Sequence, residues 1–230
     1  MRIDIISAVP ELLSGPLDHS IVGRARKAGF VDIVIHDLRT YSTDKHKKVD
    51  DYPFGGGAGL VMTPQPVFDC IEALKKQRKY DEILFPTPDA PVIDQQVVNK
   101  ISLLNNIILL CGHYKGVDQR VRDEIVTQEL SIGDYVLSGG ELPAMVLVDS
   151  VVRLLPGVLG DAESALDDSF QDGLLSPPVY TRPANFREKT IPEVLASGNH
   201  KEIRRWREKK ALELTKEVRP DLYNKFINKS

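Results

Sequence analysis

Apolar residues in the first two thirds of the chain fall into short continuous runs separated by stretches of helical period. Met1–Ala8 alternates as a strand does, Glu11–Ala28 has the spacing of a helix, and Val31–His36 forms a second apolar run. Pro64–Lys79 has helical periodicity around Val67, Ile71 and Leu74. Strand Glu82–Phe85, helix Asp94–Leu103, strand Asn106–Cys111 and helix Val117–Val126 follow. A further strand, centred on Tyr135, Val136 and Leu137, runs into Gly139-Gly140, and a largely apolar helix over Leu142–Leu155 ends this part. Apolar strands alternating with helices predict an α/β fold, a mostly parallel sheet with helices on both faces. Between them Thr43–Met62 is long, polar and Gly-rich.

The pattern changes at Pro156. Gly157–Asp168 mixes Gly, Ala, Ser and acidic residues without sustained periodicity, as a mobile loop or linker does. Beyond it lie the Pro-rich Ser176–Pro183 and helical patterns from Ile191 onward. This predicts an α/β domain over 1–160, a flexible linker over 161–168 with the boundary near Ser164, and a small helical domain over 169–230.

Charge follows the same division. Residues 1–168 carry 17 Lys+Arg against 25 Asp+Glu, whereas residues 169–230 carry 13 against 8. A basic C-terminal region beside an acidic body suits a partner with a phosphate backbone. A chain of 230 residues can bury a sizeable core and hold one or two domains. No apolar run approaches membrane-spanning length and no charged-then-apolar leader opens the chain, so no membrane association and a cytoplasmic location are expected. Cys70 and Cys111, the two cysteines, lie in apolar surroundings and are expected to be buried thiols. The five histidines are scattered and no CxxC or HxxxH pair occurs, so no structural zinc is expected.

The most informative stretch is Ser131–Met145, SIGDYVLSGGELPAM. Paired glycines let a backbone pass close to a ligand, and a helix follows, opening at Glu141 with Pro143 in its first turn. Neither GxGxxG nor GxxxxGK[ST] is present here, which points to an adenosine-type ligand without a diphosphate. The strand Met1–Ala8 is not followed by GxGxxG either, which disfavours a nicotinamide-dependent oxidoreductase.

Seven strings occur in fixed order: VDDYPFGGGAG at 49–59, CGHYKGVDQR at 111–120, SIGDYVLSGGELPAM at 131–145, PGVLG at 156–160, DSF at 168–170, YTRP at 180–183 and SGNHKEIRRWR at 197–207. Together they resemble the bacterial tRNA (guanine-N1)-methyltransferases of the SPOUT superfamily over nearly the whole chain. The resemblance implies a deep trefoil knot in the C-terminal part of the first domain, which pattern reasoning alone would argue against. It implies a homodimer with active sites shared between the chains, S-adenosylmethionine as methyl donor, and Mg²⁺ at an unlocated site. The implied substrate is the guanosine immediately 3′ of the anticodon in tRNA, methylated to guard the reading frame.

The resemblance places the donor against three loops: Phe85-Pro86-Thr87-Pro88, then Gly112, Tyr114 and Gly116, then Ile132-Gly133 through Tyr135, Leu137, Gly139 and Gly140 to Pro143. The second loop departs from the commoner family pattern GRYEG, with His113 in place of Arg and Lys115 in place of Glu. An ammonium cannot face the positive donor as a carboxylate could, so either the backbone binds there or Lys115 points elsewhere. Guanine N1 holds its proton tightly, so its methylation needs a general base and a positive group for charge on O6. The resemblance gives these roles to Asp168 and Arg153. Lys201, Arg204, Arg205 and Arg207 lie on one predicted helix and would contact tRNA phosphates. Trp206, spaced helically from Ile203, belongs to the core side of that helix, and the loop Asp44–Gly59 is a second candidate RNA-facing element. Two other functions compete: methylation of a ribose 2′-OH or another base, and non-catalytic RNA binding.

Overall fold

The structure is a computed structural model and describes residues 1–160 and 168–228. The chain divides into two compact units, Met1–Ala162 and Glu163–Ser230.

The first unit is built on a five-stranded sheet of β1 (Arg2–Ser7), β2 (Asp32–Asp37), β5 (Glu82–Pro86), β6 (Asn106–Leu110) and β7 (Gln128–Leu130), in the order β2-β1-β6-β5-β7. Every pairing is parallel. Two short strands, β3 (Asp50–Asp51) and β4 (Val61–Met62), pair antiparallel inside the long polar segment. Alternation along each strand sends side chains to opposite faces. Ile3, Ile5, Leu84, Ile107 and Leu109 enter one core with Val22 and Ala25 of α1 (Ser20–Lys27), Val98 and Ile101 of α3 (Gln95–Ser102), and Leu147, Val148 and Val151 of α5 (Glu141–Val152). Ile6, Ile83, Phe85, Ile108 and Leu110 enter the other with Val67, Cys70, Ile71 and Leu74 of α2 (Pro64–Gln77) and Val121 of α4 (Gln119–Glu124). The parallel sheet covered on both faces is the expected α/β architecture.

Several polar side chains sit inside, among them Asp4, Ser7 and Glu141. Asp4 is buried on β1 and accepts from Arg2 Nε and Nη2 at 2.8 and 2.7 Å, from Tyr80 Oη at 2.9 Å, and meets His36 Nε2 at 2.7 Å. Burial alone would raise its carboxyl, but these bonds outweigh it and hold the group well below the usual carboxylate range.

Two expectations are corrected. Glu11–Ala28 is not one helix: it forms 3-10 turns over Pro10–Leu13 and Pro16–Asp18 before α1 begins at Ser20. Gly15 (φ 91°) takes a left-handed conformation and Pro16 has no N–H to continue a helical ladder. Nor is the run through Tyr135, Val136 and Leu137 a strand. The strand is β7, which ends at Leu130, and residues 131–140 form an irregular loop in which Val136 is 82% exposed. The remaining predicted helices and strands of this unit appear within a few residues of their expected bounds, and both cysteines are free and buried.

The second unit holds a hairpin of β8 (Asn185–Phe186) and β9 (Lys189–Thr190), which periodicity did not mark. It also holds helices α6 (Glu193–Ala196), α7 (His200–Val218) and α8 (Pro220–Ile227). Asn199 caps α7 by accepting from Glu202 N. The core of the expected linker, 161–167, lies outside the described residues.

Candidate active site

In a parallel sheet, ligands bind beyond the carboxyl ends of the strands. Three loops leave that edge from the neighbouring strands β6, β5 and β7, and hydrogen bonds tie them together. Thr87 N donates to Leu130 O at 2.9 Å and Ser131 N to Pro91 O at 2.9 Å, which joins the loops after β5 and β7. Gly140 N donates to Gly112 O at 2.7 Å, and His113 pairs with Gly139 in an antiparallel bridge, which joins the loops after β6 and β7.

Between the loops lies a cavity of about 290 Å³. All fourteen residues expected at the donor site line it, drawn from three segments far apart in sequence. The glycines have steric reasons to be there. Gly133 has φ 151°, and a Cβ on it would meet the Tyr135 ring at 2.4 Å. A Cβ on Gly140 would meet Gly112 N at 2.8 Å and Cys111 Cα at 2.9 Å, both of them main chain. Phe85, Leu137 and Pro143 supply apolar wall.

The cavity has further lining residues that sequence reasoning missed. Arg122 of α4 lies 5.6 Å from the Phe85 ring centroid, over its face. It forks onto Glu129 through Nε and Nη2 at 2.6 and 2.7 Å and reaches Asp89 through Nη1 at 2.9 Å. Thr87 Oγ1 donates to the same Asp89, and its bond, together with Arg122, holds that carboxyl below the usual range against partial burial. Arg122 thereby pins the Thr87–Asp89 turn at the cavity wall. Nothing local in the sequence marks it, because an arginine on a short amphipathic helix usually faces solvent.

Lys115 lines the cavity and also meets the polar segment 43–62. Its N–H donates to Leu60 O at 3.0 Å, and its aliphatic stem runs over Gly59, where a Cβ would lie 3.0 Å from Cγ. The stem is thus committed to the polar segment 43–62 and covers a position that only glycine leaves open. Tyr114 reaches the same segment: burial and a hydrogen bond to Asp50 raise its phenol. In that segment Phe54 is fully exposed and Gly55, Gly56 and Gly57 all have positive φ.

Arg153 is half-buried at the C-terminal end of α5 in the first unit. Asp168 belongs to the second. It opens no helix there. The DSF string forms a tight loop in which Phe170 N donates to Leu174 O at 2.7 Å and Ser176 N to Ser169 Oγ at 2.9 Å. Lys201, Arg204, Arg205 and Arg207 are exposed along α7. Trp206 is half-buried rather than core, 6.3 Å from Tyr180 between ring centroids.

Among the described residues no group of three or more His, Cys, Asp and Glu gathers as a metal site, and no helix is long and apolar enough to cross a membrane.

Comparison with known proteins decides the family. The profile of tRNA (guanine-1)-methyltransferase TrmD matches residues 1–225. The chain belongs to this family. It is 58% identical over 226 residues to the tRNA (guanine-N(1)-)-methyltransferase of Cytophaga hutchinsonii, covering 98% of this chain and 96% of the relative. The protein of that name from Flavobacterium psychrophilum is 60% identical over 222 residues, with 96% and 99% covered. That of Porphyromonas gingivalis is 54% identical over 222 residues, again with 96% and 99% covered. The tRNA (guanine-1)-methyltransferase family thus spans both units and all three loops at the cavity.

Proposed function

We propose that this chain methylates N1 of the guanosine immediately 3′ of the anticodon in tRNA, with S-adenosylmethionine as donor. One observation carries the reading: fourteen residues from three distant segments line a single glycine-walled cavity in a chain of this methyltransferase family.

The lining fits the donor. Glycines admit a ligand against the main chain, Leu137, Pro143 and Phe85 offer apolar walls, and loop N–H and C=O groups can read an adenine edge. When bound, the donor supplies an electrophilic methyl group. Asp168 accepts the N1 proton as the N1 lone pair becomes the nucleophile, and Arg153 holds the charge that builds on O6. The exposed cations of α7 take phosphates and set the register of the RNA. Mg²⁺ would keep several waters and need few protein ligands, so its expected site is not assigned to particular residues.

The knot would consist of the segment 131–152 drawn against the loop after β6, which is supported by the Gly140–Gly112 bond and the His113–Gly139 bridge. A homodimer with shared active sites is supported by α5. Leu142 and Val146 are half-exposed one turn apart on that helix, and Arg153 lies at its end. Residues 1–160 would then be the donor-binding domain and 169–230 the tRNA-binding domain, in a cytoplasmic enzyme.

The test is methyl transfer to unmodified tRNA carrying G or A 3′ of the anticodon, by the native protein and by Asp168→Ala. Transfer to the G substrate alone, reduced about 10²–10⁴-fold by the substitution, is expected of a lost general base. Equal transfer to both substrates would replace the guanine reading with a ribose or other-base methylase.

A further inference from the structure

A polar chain runs behind the cavity wall. Ser7, the last residue of β1, donates Oγ–H to Glu141 Oε1 at 2.6 Å, and its Oγ accepts from Val9 N at 2.8 Å. Glu141, the first residue of α5, is only 1% exposed. Its other oxygen, Oε2, is buried with no hydrogen-bond partner and lies 3.6 Å from His113 Nδ1, a nitrogen that is buried and unpartnered in the same way. His113 is one of the residues lining the cavity. Gly139 crosses at this point: a Cβ there would fall 2.4 Å from Oε2 and 2.6 Å from Nδ1, so any side chain would part the pair.

A carboxylate oxygen can only accept, and a neutral imidazole has one N–H and one acceptor nitrogen. Contact between Oε2 and Nδ1 is attractive only if Nδ1 carries the proton. At 3.6 Å the pair stands short of a hydrogen bond, and a shift of about 0.6 Å would close it. A buried carboxylate facing a ring nitrogen, itself held by a second group, sets the tautomer and orientation of an imidazole.

We infer that Glu141, held by Ser7, is a positioning residue that keeps the His113 proton on Nδ1. Nε2 then remains the acceptor that the ring offers to the methyl donor, whose N–H and O–H groups are the ammonium of its amino-acid part, the ribose hydroxyls and the adenine amino group. The same contact locks the Gly112–Gly116 loop to Gly139-Gly140, and ligand binding draws Nδ1 and Oε2 together. The ligand half of the inference rests on the cavity being the donor site, while the tautomer half does not.

The test has two arms. In the first, ¹⁵N-imidazole shifts of His113 are recorded on the ligand-free protein in mildly alkaline buffer, native and Glu141→Gln. A neutral Nδ1–H ring in the native protein, with that preference abolished in Glu141→Gln, is expected. An Nε2–H or doubly protonated ring overturns the assignment. In the second arm, S-adenosylhomocysteine affinity is measured by calorimetry. Glu141→Gln is expected to weaken it about tenfold, the scale of one charge-assisted bond. His113→Asn keeps an N–H for Glu141 but has no Nε2, and is expected to weaken it to a similar degree with unchanged thermal stability. Native-like affinity in both variants overturns the ligand half. Failure of the native protein to bind S-adenosylhomocysteine overturns the donor-site reading together with that half, and the first arm still decides the tautomer.

Discussion

Gly140→Ala tests whether the cavity depends on contact between two main-chain segments. The new methyl would lie 2.8 Å from Gly112 N and 2.9 Å from Cys111 Cα. Ordinary contact distances are about 3.5–4.0 Å, so the overlap is about 0.6–1.2 Å, and it is with backbone that cannot rotate away. The loop 131–140 must therefore retreat from the loop after β6, which stretches the 2.7 Å Gly140–Gly112 bond. Overpacking of this kind costs about 1–3 kcal/mol, and breaking the hydrogen bond adds about 0.5–1.5 kcal/mol. If about half of this falls on the bound geometry, a penalty of about 1–2 kcal/mol weakens donor binding roughly 5–30-fold. The assay is calorimetric titration with S-adenosylhomocysteine beside a thermal melt. Gly160→Ala is the control, because a Cβ there meets nothing within 4 Å. Affinity within about twofold of native for a folded Gly140→Ala protein would refute the reasoning.

The core, the basic helix and the apolar stripe each give a further expectation. Asp4→Asn breaks a buried carboxylate's contacts with Arg2, His36 and Tyr80 and is expected to cost about 3–5 kcal/mol in urea unfolding. Because the folded-state pKa of Asp4 is depressed, its contribution is fully present above the ordinary carboxylate value near 3.9 and fades as pH falls below it. The native protein should therefore lose stability there more steeply than Asp4→Asn. Arg204→Ala with Arg205→Ala should raise the KM for tRNA and leave donor affinity intact. It should also lower the slope of log affinity against log salt by about 0.7–0.9 for each phosphate no longer neutralised. Val146→Arg places a charge on the exposed stripe of α5 and is expected to yield monomers in sedimentation. A stable dimer would show that this face lies elsewhere than the interface.

Four of the five sheet strands were legible in the sequence as short apolar runs, such as Ile107–Leu110, whereas the three-residue β7 was not. The same rule misled at Tyr135–Leu137, an apolar run whose side chains line or flank a cavity instead of entering the core. The apolar spacing across Gly15-Pro16 suggested one helix, although that dipeptide carries turn chemistry. At the cavity, the family strings identified glycines and loop residues. Arg122 and its grip on Asp89 could not be read, because their pairing depends on the register of β5 with β7. The Glu141–His113 contact was hidden for a similar reason: it joins the start of a helix to a loop that only the fold brings beside it. The hairpin at Asn185–Thr190 escaped because two-residue strands carry no period.

The most direct test is nucleoside mass spectrometry of tRNA after incubation with the native protein and S-adenosylmethionine, with the product mapped by nuclease digestion. The expected product is 1-methylguanosine at the nucleotide immediately 3′ of the anticodon, with no other new methylated nucleoside. A methylated ribose, another methylated base, or 1-methylguanosine elsewhere in the tRNA would contradict the assigned reaction.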